Sequence, residues 1–213
     1  MDKYQNKYRI PSTRLQNWDY RSAGAYFITT NTRNGEYYFG NVVDAKMQLS
    51  NIGVIADILW NEIINHKKNV ELGDFVVMPN HVHGILILDG NDNADNGNGG
   101  GDGGDGGRDD ACIVSTDTDT DTDTDMDTGG SINSKNQQTA KISPKSGSVS
   151  CIIGSFKSAV SKHAHRLGFE FEWQERFYDH IIRNDKSYIR IANYIIDNPQ
   201  NWATDKFNKM NQK

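Results

Sequence analysis

Met78-Pro79-Asn80-His81-Val82-His83-Gly84-Ile85-Leu86-Ile87-Leu88 places two histidines one residue apart inside an apolar run. The run from His81 to Leu88 reads as a buried strand, with Phe75-Val76-Val77 before it as a hairpin partner. On a strand, residues i and i+2 project from the same face. His81 and His83 therefore point together, while Val82 points the other way, into a core. Two co-facing imidazoles bind a metal ion readily. A histidine on a sheet is also commonly a plain polar residue with a partner, so the rest of the chain has to decide.

Around that strand the 213 residues divide by composition. Residues 89–149 hold a Gly/Asp tract, a Thr-Asp alternation from Thr116 to Asp125 and Ser/Lys/Gln-rich sequence, with little that builds a core. They are expected to be a disordered acidic insertion in a single domain made of residues 1–88 and 150–213. No calcium-loop pattern is present in them. The insertion carries 13 Asp against Arg108, Lys135, Lys141 and Lys145, whereas the whole chain has 23 basic and 28 acidic residues. The other 152 residues thus hold 19 basic and 15 acidic side chains, a net of +4. The acidic balance belongs to the insertion, and the mildly basic folded part permits a phosphate-bearing partner without demanding one.

Two cysteines, Cys112 and Cys151, make neither a disulfide framework nor a Cys-based zinc site. Met1 to Pro11 has no apolar signal core, and no segment approaches a membrane span. A cytoplasmic protein without a membrane partner is expected.

Ala25 to Thr32 reads as the first clear strand and Ala45 to Leu49 as a second. Ser50 or Asn51 caps a helix running to about Lys67, with Ile52, Ile55, Leu59 and Ile63 at helical spacing. Strands over Asp74 to Val77 and His81 to Leu88 follow. After the insertion come a helix over about Cys151 to Leu167 ended by Gly168, extended regions at Phe171 to Trp173 and Tyr178 to Ile182, and a helix from Asp185 that stops by Asn198, before Pro199. This order predicts an α+β domain, an antiparallel sheet with helices packed on one face.

On the last helix Tyr194 and Asn198 are four apart and share a face. Tyr194 also fits a half-buried core aromatic, and Asn198 before a proline also fits a helix terminator. An internal control comes from His163-Ala164-His165, which repeats the spacing on a helix. There i and i+2 stand about 200° apart, so these two cannot chelate one ion. His180 reads as a structural residue or a neighbour of the site.

Val77-Met78-Pro79-Asn80-His81-Val82-His83-Gly84 resembles the HUH motif (His, hydrophobic, His) of single-tyrosine transposases. Gly24-Ala25-Tyr26-Phe27-Ile28-Thr29, the segment Trp173 to Arg183, and Tyr194-Ile195-Ile196-Asp197-Asn198-Pro199 resemble the branch called repeat-associated tyrosine transposases. The resemblance covers about residues 14–88 and 150–202, in the family's order; the acidic insertion departs from it between two elements. It implies a ferredoxin-like HUH fold in which His81, His83 and Asn198 hold Mg2+ or Mn2+. It further implies that Tyr194 attacks single-stranded DNA, leaving a 5′-phosphotyrosine link and a free 3′-hydroxyl. The DNA would be a hairpin with an adjoining single strand, and the protein a monomer or homodimer, associated with the nucleoid when bound. Lys157, Lys162, Arg166, Arg176, Arg183 and Arg190 are candidate phosphate contacts, and Trp173, Phe177 and Tyr178 candidate base-stacking residues. Two other readings compete: a DNA-binding protein of the same fold without chemistry, and a metal-dependent phosphodiesterase with no covalent tyrosine step.

Overall fold

The strand expected over His81–Leu88 forms with those bounds and pairs with Val70–Met78 on one side and Gly24–Thr32 on the other. The computed structural model describes residues 18–67, 69–90 and 146–211, together with the backbone of two two-residue strands, β1 (Lys3–Tyr4) and β2 (Lys7–Tyr8). All but the ends of the expected acidic insertion lies outside the described residues. In chain order the other elements are β3 (Gly24–Thr32), β4 (Gly40–Val43), β5 (Lys46–Leu49), α1 (Asn51–Asn61), α2 (Ile63–His66), β6 (Val70–Met78), β7 (His81–Leu88), α3 (Val149–Arg166), β8 (Trp173–Ile182) and α4 (Asp185–Ile196). The central sheet has the order β6-β7-β3-β8, all antiparallel, and β4-β5 is a separate hairpin. The domain is α+β, as expected. Among the described residues no helix is long and apolar enough to cross a membrane.

Alternation sorts each strand into two faces. Tyr26 and Ile28 of β3, Val82 and Leu86 of β7, Val77 of β6 and Ile181 of β8 enter the main core with Ile52, Ala56 and Trp60 of α1 and Ile152, Phe156 and Val160 of α3. The alternate residues Ile85 of β7 and Ile182 of β8 form a smaller cluster with Ile191, Ala192 and Ile195 of α4, against Ala25, Phe27 and Val76. The helices therefore do not share one face: α1 and α3 cover one side and α4 the other. Periodicity reveals that a helix has an apolar stripe, but not which side of the sheet receives it. Here β3 and β7 are apolar on both sides, so both take a helix.

Local boundaries follow the caps. Ser50 Oγ accepts from Gly53 N at 3.1 Å and starts α1, which breaks at Glu62 instead of running to Lys67. Ser148 caps α3, and Asn184, not Asp185, caps α4 through a 2.9 Å bond from Ser187 N. The two extended regions expected after α3 are one strand, β8, with a bulge opposite Thr30 and Thr32. β4 was not foreseen. Its turn uses Asp44 and Ala45 at φ 49° and 59°, a primed hairpin without the usual glycine. Cys151 is buried and disulfide-bonded, so the chain does carry a bridge; the other half lies outside the described residues.

Gly84 lets the site strand lie flat on α1. A Cβ there would meet the Trp60 ring at 2.2 Å, and Trp60 is fully buried. Gly84→Ala is expected to destabilise the fold by about 1–3 kcal/mol, the usual cost of overpacking a core. Chemical denaturation of both proteins measures it, and an unchanged midpoint would show that Trp60 yields freely.

Candidate functional site

His81 and His83 emerge from the α4 side of β7, with ring centroids 4.4 Å apart, and are 0 % and 2 % exposed. The tautomer of His81 follows from its partner. Asn80 Nδ2 donates to the carbonyls of Gly35 (3.2 Å) and Phe207 (2.7 Å), which turns its Oδ1 toward His81 Nδ1 at 2.9 Å. An amide oxygen there requires a proton on Nδ1, so His81 Nε2 keeps its lone pair. That Nε2 is buried and has no partner in the protein. His83 Nδ1 lies 2.8 Å from Thr29 Oγ1, and the ring also makes a hydrogen bond to the Ile28 backbone.

The last helix completes the cluster. Tyr194 Oη stands within hydrogen-bonding distance of His83 Nε2, at 3.2 Å. The Tyr194 ring packs edge-on to Phe27, and the tyrosine is 41 % exposed. One turn later Asn198, 1 % exposed, directs Nδ2 to Asp205 Oδ2 at 3.4 Å, and its buried Oδ1 has no partner. The helix thus brings Tyr194 onto His83 of the co-facing pair. Asn31, directly opposite His81 on β3, adds Oδ1 as a third buried, unpartnered side-chain atom on this face. The C-terminal segment walls the site: Phe207 lies 4.5 Å and Trp202 6.0 Å from the His81 ring, centroid to centroid.

Burial, with the nearby Lys206 ammonium, lowers His83 to about 3. Burial also takes His81 well below the usual histidine range, helped by His83 and Lys206. Both rings are therefore neutral, the state in which imidazole ligates a metal. Burial and then the Asp205 carboxylate raise Tyr194 above 10, against a lowering bond from Asn198. The phenol is held protonated.

The residues fit a divalent ion. The donor set is two imidazole nitrogens and one amide oxygen, of which His81 Nε2 and Asn198 Oδ1 are buried with nothing to bond in the protein. Among the described residues no group of three or more His, Cys, Asp or Glu gathers at metal-binding spacing, so an ion would rest on the histidine pair and Asn198.

The basic candidates fall elsewhere. Lys157, Lys162 and Arg166 lie on α3, across the sheet from the site. Lys157 Nζ bonds the Gln174 carbonyl at 2.5 Å and sits 5.6 Å from the centre of the Trp173 ring; burial lowers it to about 8. Arg176 and Arg183 are exposed at β8 and its end, and Arg190 is exposed on α4. Trp173 and Phe177 pack on the main core, leaving only Tyr178 of the three stacking candidates on the surface. His165 Nε2 bonds the Phe171 carbonyl at 2.9 Å, and the helical His163–His165 pair forms no site.

The chain is 30 % identical over 199 residues to an uncharacterised protein of Haemophilus influenzae, covering 92 % of this chain and 91 % of that one. It belongs to the same family as that protein. No family model matches the chain. A solved structure of a REP-associated tyrosine transposase bound to a REP hairpin aligns with 97 % of this chain and 77 % of its own, at 19 % identity and a TM-score of 0.44.

Thr29, Asn31, Asn80, Asp205 and Phe207 are the site residues that motif spacing did not reveal. Asn80 alone carried a signal, its place beside His81. Asn80→Ala removes three buried hydrogen bonds and is expected to cost about 2–4 kcal/mol, at roughly 1 kcal/mol each. Nitrogen-15 NMR should show His81 losing its fixed Nδ1–H tautomer; an unchanged tautomer would mean that something else orients the ring.

A pH dependence follows as well. The folded imidazoles stay neutral where the unfolded chain, with histidines near 6.5, takes up protons. Stability of the metal-free protein therefore falls as pH drops below about 6.5, and for His83 the loss continues to about 3. Thermal unfolding between pH 7.5 and 5.5 should show this slope, and replacing both histidines with Gln should flatten it.

Proposed function

We propose that the protein nicks and rejoins single-stranded DNA through a covalent tyrosine, a transposase-like activity that depends on Mg2+ or Mn2+. The observation that carries this reading is the Tyr194 hydroxyl 3.2 Å from His83 Nε2, beside the unpartnered His81 Nε2 and Asn198 Oδ1. A phenol on a neutral histidine pair with spare oxygen and nitrogen ligands is the equipment of metal-assisted phosphoryl transfer. The motif resemblance points to the same chemistry.

His81 Nε2, His83 Nε2 and Asn198 Oδ1 would hold the ion, which would supply charge stabilisation at a phosphate oxygen. Asn80 and Asp205 keep two of these atoms aimed inward. His83 Nε2 has one lone pair, so serving the ion and accepting the Tyr194 proton are alternatives. A positive charge at the histidine pair also opposes the burial and the Asp205 carboxylate that hold the phenol protonated. The Tyr194 oxygen then forms a bond to phosphorus as the bond to the 3′ oxygen breaks. That oxygen takes a proton and leaves as a 3′-hydroxyl. The phosphotyrosine ester retains the energy of the broken phosphodiester, so a hydroxyl can reverse the step without an external source. Substrates are single-stranded or hairpin DNA in the cytoplasm, and the protein acts as a monomer or homodimer. Arg176, Arg183 and Arg190, on or beside the site face, are the nearer of the proposed phosphate contacts; Lys162 and Arg166 would serve only DNA that reaches around the sheet.

Purified protein incubated with labelled hairpin oligonucleotides and Mn2+ should give a protein–DNA band that survives denaturant. Tyr194→Phe should abolish both the band and cleavage, and His81→Ala or His83→Ala should lower cleavage at least 100-fold. Cleavage that persists in Tyr194→Phe would instead establish a phosphodiesterase. Binding without cleavage in the wild type would establish a DNA-binding protein of this fold.

A further inference from the structure

The site face of the sheet is covered unevenly. α4 packs mainly over β6 and β7, through Ile85, Val76 and its own Ile191 and Ile195. The C-terminal segment closes the His81 end through Phe207 and Trp202. On the half formed by β3 and β8 the described residues leave Tyr178 and His180 exposed. On that half Tyr178 pairs directly with Thr29, and Thr29 is the residue whose hydroxyl contacts His83. Directly opposed residues share a face, so one row across the sheet reads Tyr178, Thr29, His83. The next row holds His180 opposite Phe27, and the Phe27 ring touches both His83 and Tyr194.

Tyr178 is 50 % exposed, whereas the neighbouring aromatics of β8, Trp173 and Phe177, are spent on the core. It lines a groove of about 440 Å3 at the outer edge of β8, together with Tyr20, Asp179, His180, Ile181, Arg183, Asn184 and Ser187, in which Arg183 is the cation and Asp179 the one carboxylate. β8 is the last strand of the sheet, so its outer backbone groups have no strand partner among the described residues. An exposed ring and a guanidinium along one groove match an unpaired nucleotide: stacking for the base and charge for its phosphate.

We propose that Tyr178 and the β8-edge groove form a nucleobase subsite, which seats an unpaired base next to the scissile phosphate and so sets where the strand is cut. This rests on the DNA-nicking reading above. The geometry supplies the position: among the described residues α4 and the C-terminal segment cover the other sides, so a strand whose phosphate lies at His81 and His83 continues over the β3–β8 side. Tyr178 then acts on binding and cut-site choice, whereas Tyr194 acts on the bond.

The test uses single-stranded oligonucleotides with 2-aminopurine at successive positions around the cut site, titrated with metal-free protein so that no cleavage occurs. Stacking on Tyr178 should quench one position most strongly. Tyr178→Ala should abolish that quench, weaken binding about tenfold and spread cleavage over neighbouring positions once Mn2+ is added. Tyr178→Phe should behave as the wild type, because the ring and not the hydroxyl does the stacking. Thermal unfolding of each variant checks the fold, and the exposed position predicts unchanged midpoints. A Tyr178→Ala protein that binds, quenches and cuts like the wild type overturns the subsite and leaves the nicking activity standing. A wild type that binds no single-stranded DNA overturns the activity and the subsite together.

Discussion

Two neutral imidazoles buried side by side in the middle of a sheet set the terms for everything around them. Taking such groups out of water costs free energy unless each nitrogen finds a partner. The chain supplies partners for the inner nitrogens: Asn80 for His81, and Thr29 for His83. It leaves the outer nitrogens facing one small space, with the Tyr194 hydroxyl on one and nothing on the other. A protein selected only for stability would fill that space or pair that atom. The unpaired His81 Nε2 and Asn198 Oδ1 are therefore where the fold gives up stability, and such concessions gather at functional sites.

The same strand must also hold the fold together, and alternation lets it do both. Val82 and Leu86 enter the main core between the histidine positions and beyond them, and Gly84 admits Trp60. A one-residue slip of β7 would bury the wrong side chains on both faces at once. The register that aligns Val77 with Val82 and Thr29 with His83 is thus fixed by the core and inherited by the site. Precision at the imidazoles comes from apolar packing on the far side of the same strand.

This explains what was legible in the sequence. Residue pairs on one element, His81 with His83 and Tyr194 with Asn198, follow from the periods of strand and helix, and both pairs are where those periods put them. So are the strands rich in β-branched and aromatic residues. What needed the structure was anything set by contact between distant segments: the hold of Gly35 and Phe207 on Asn80, the approach of Asp205 to Asn198, and the side of the sheet chosen by α4. β8 was split in two because Gln174-Glu175-Arg176 breaks the apolar pattern, which an edge strand tolerates. β4 was missed because its turn places Ala45, not glycine, at positive φ. Lys157 read as a phosphate contact, since sequence cannot show that its ammonium is engaged by Gln174 and Trp173.

The two halves of the site are also anchored unequally. The histidines sit on the second strand of a four-stranded sheet whose main core includes Trp60, Phe156 and Leu86. Tyr194 and Asn198 ride on α4 and its end, held by a cluster of only five buried residues, Ile85, Ile182, Ile191, Ala192 and Ile195. At about 1.5–3 kcal/mol per buried aliphatic side chain, displacing α4 costs much less than disturbing β7. Tyr194 lies in the last turn of α4 and Asn198 just past its end, so a shift of α4 carries both relative to the imidazoles. The division suits the reaction proposed above, in which the phenol would leave His83 and approach phosphorus while the histidine pair stays fixed.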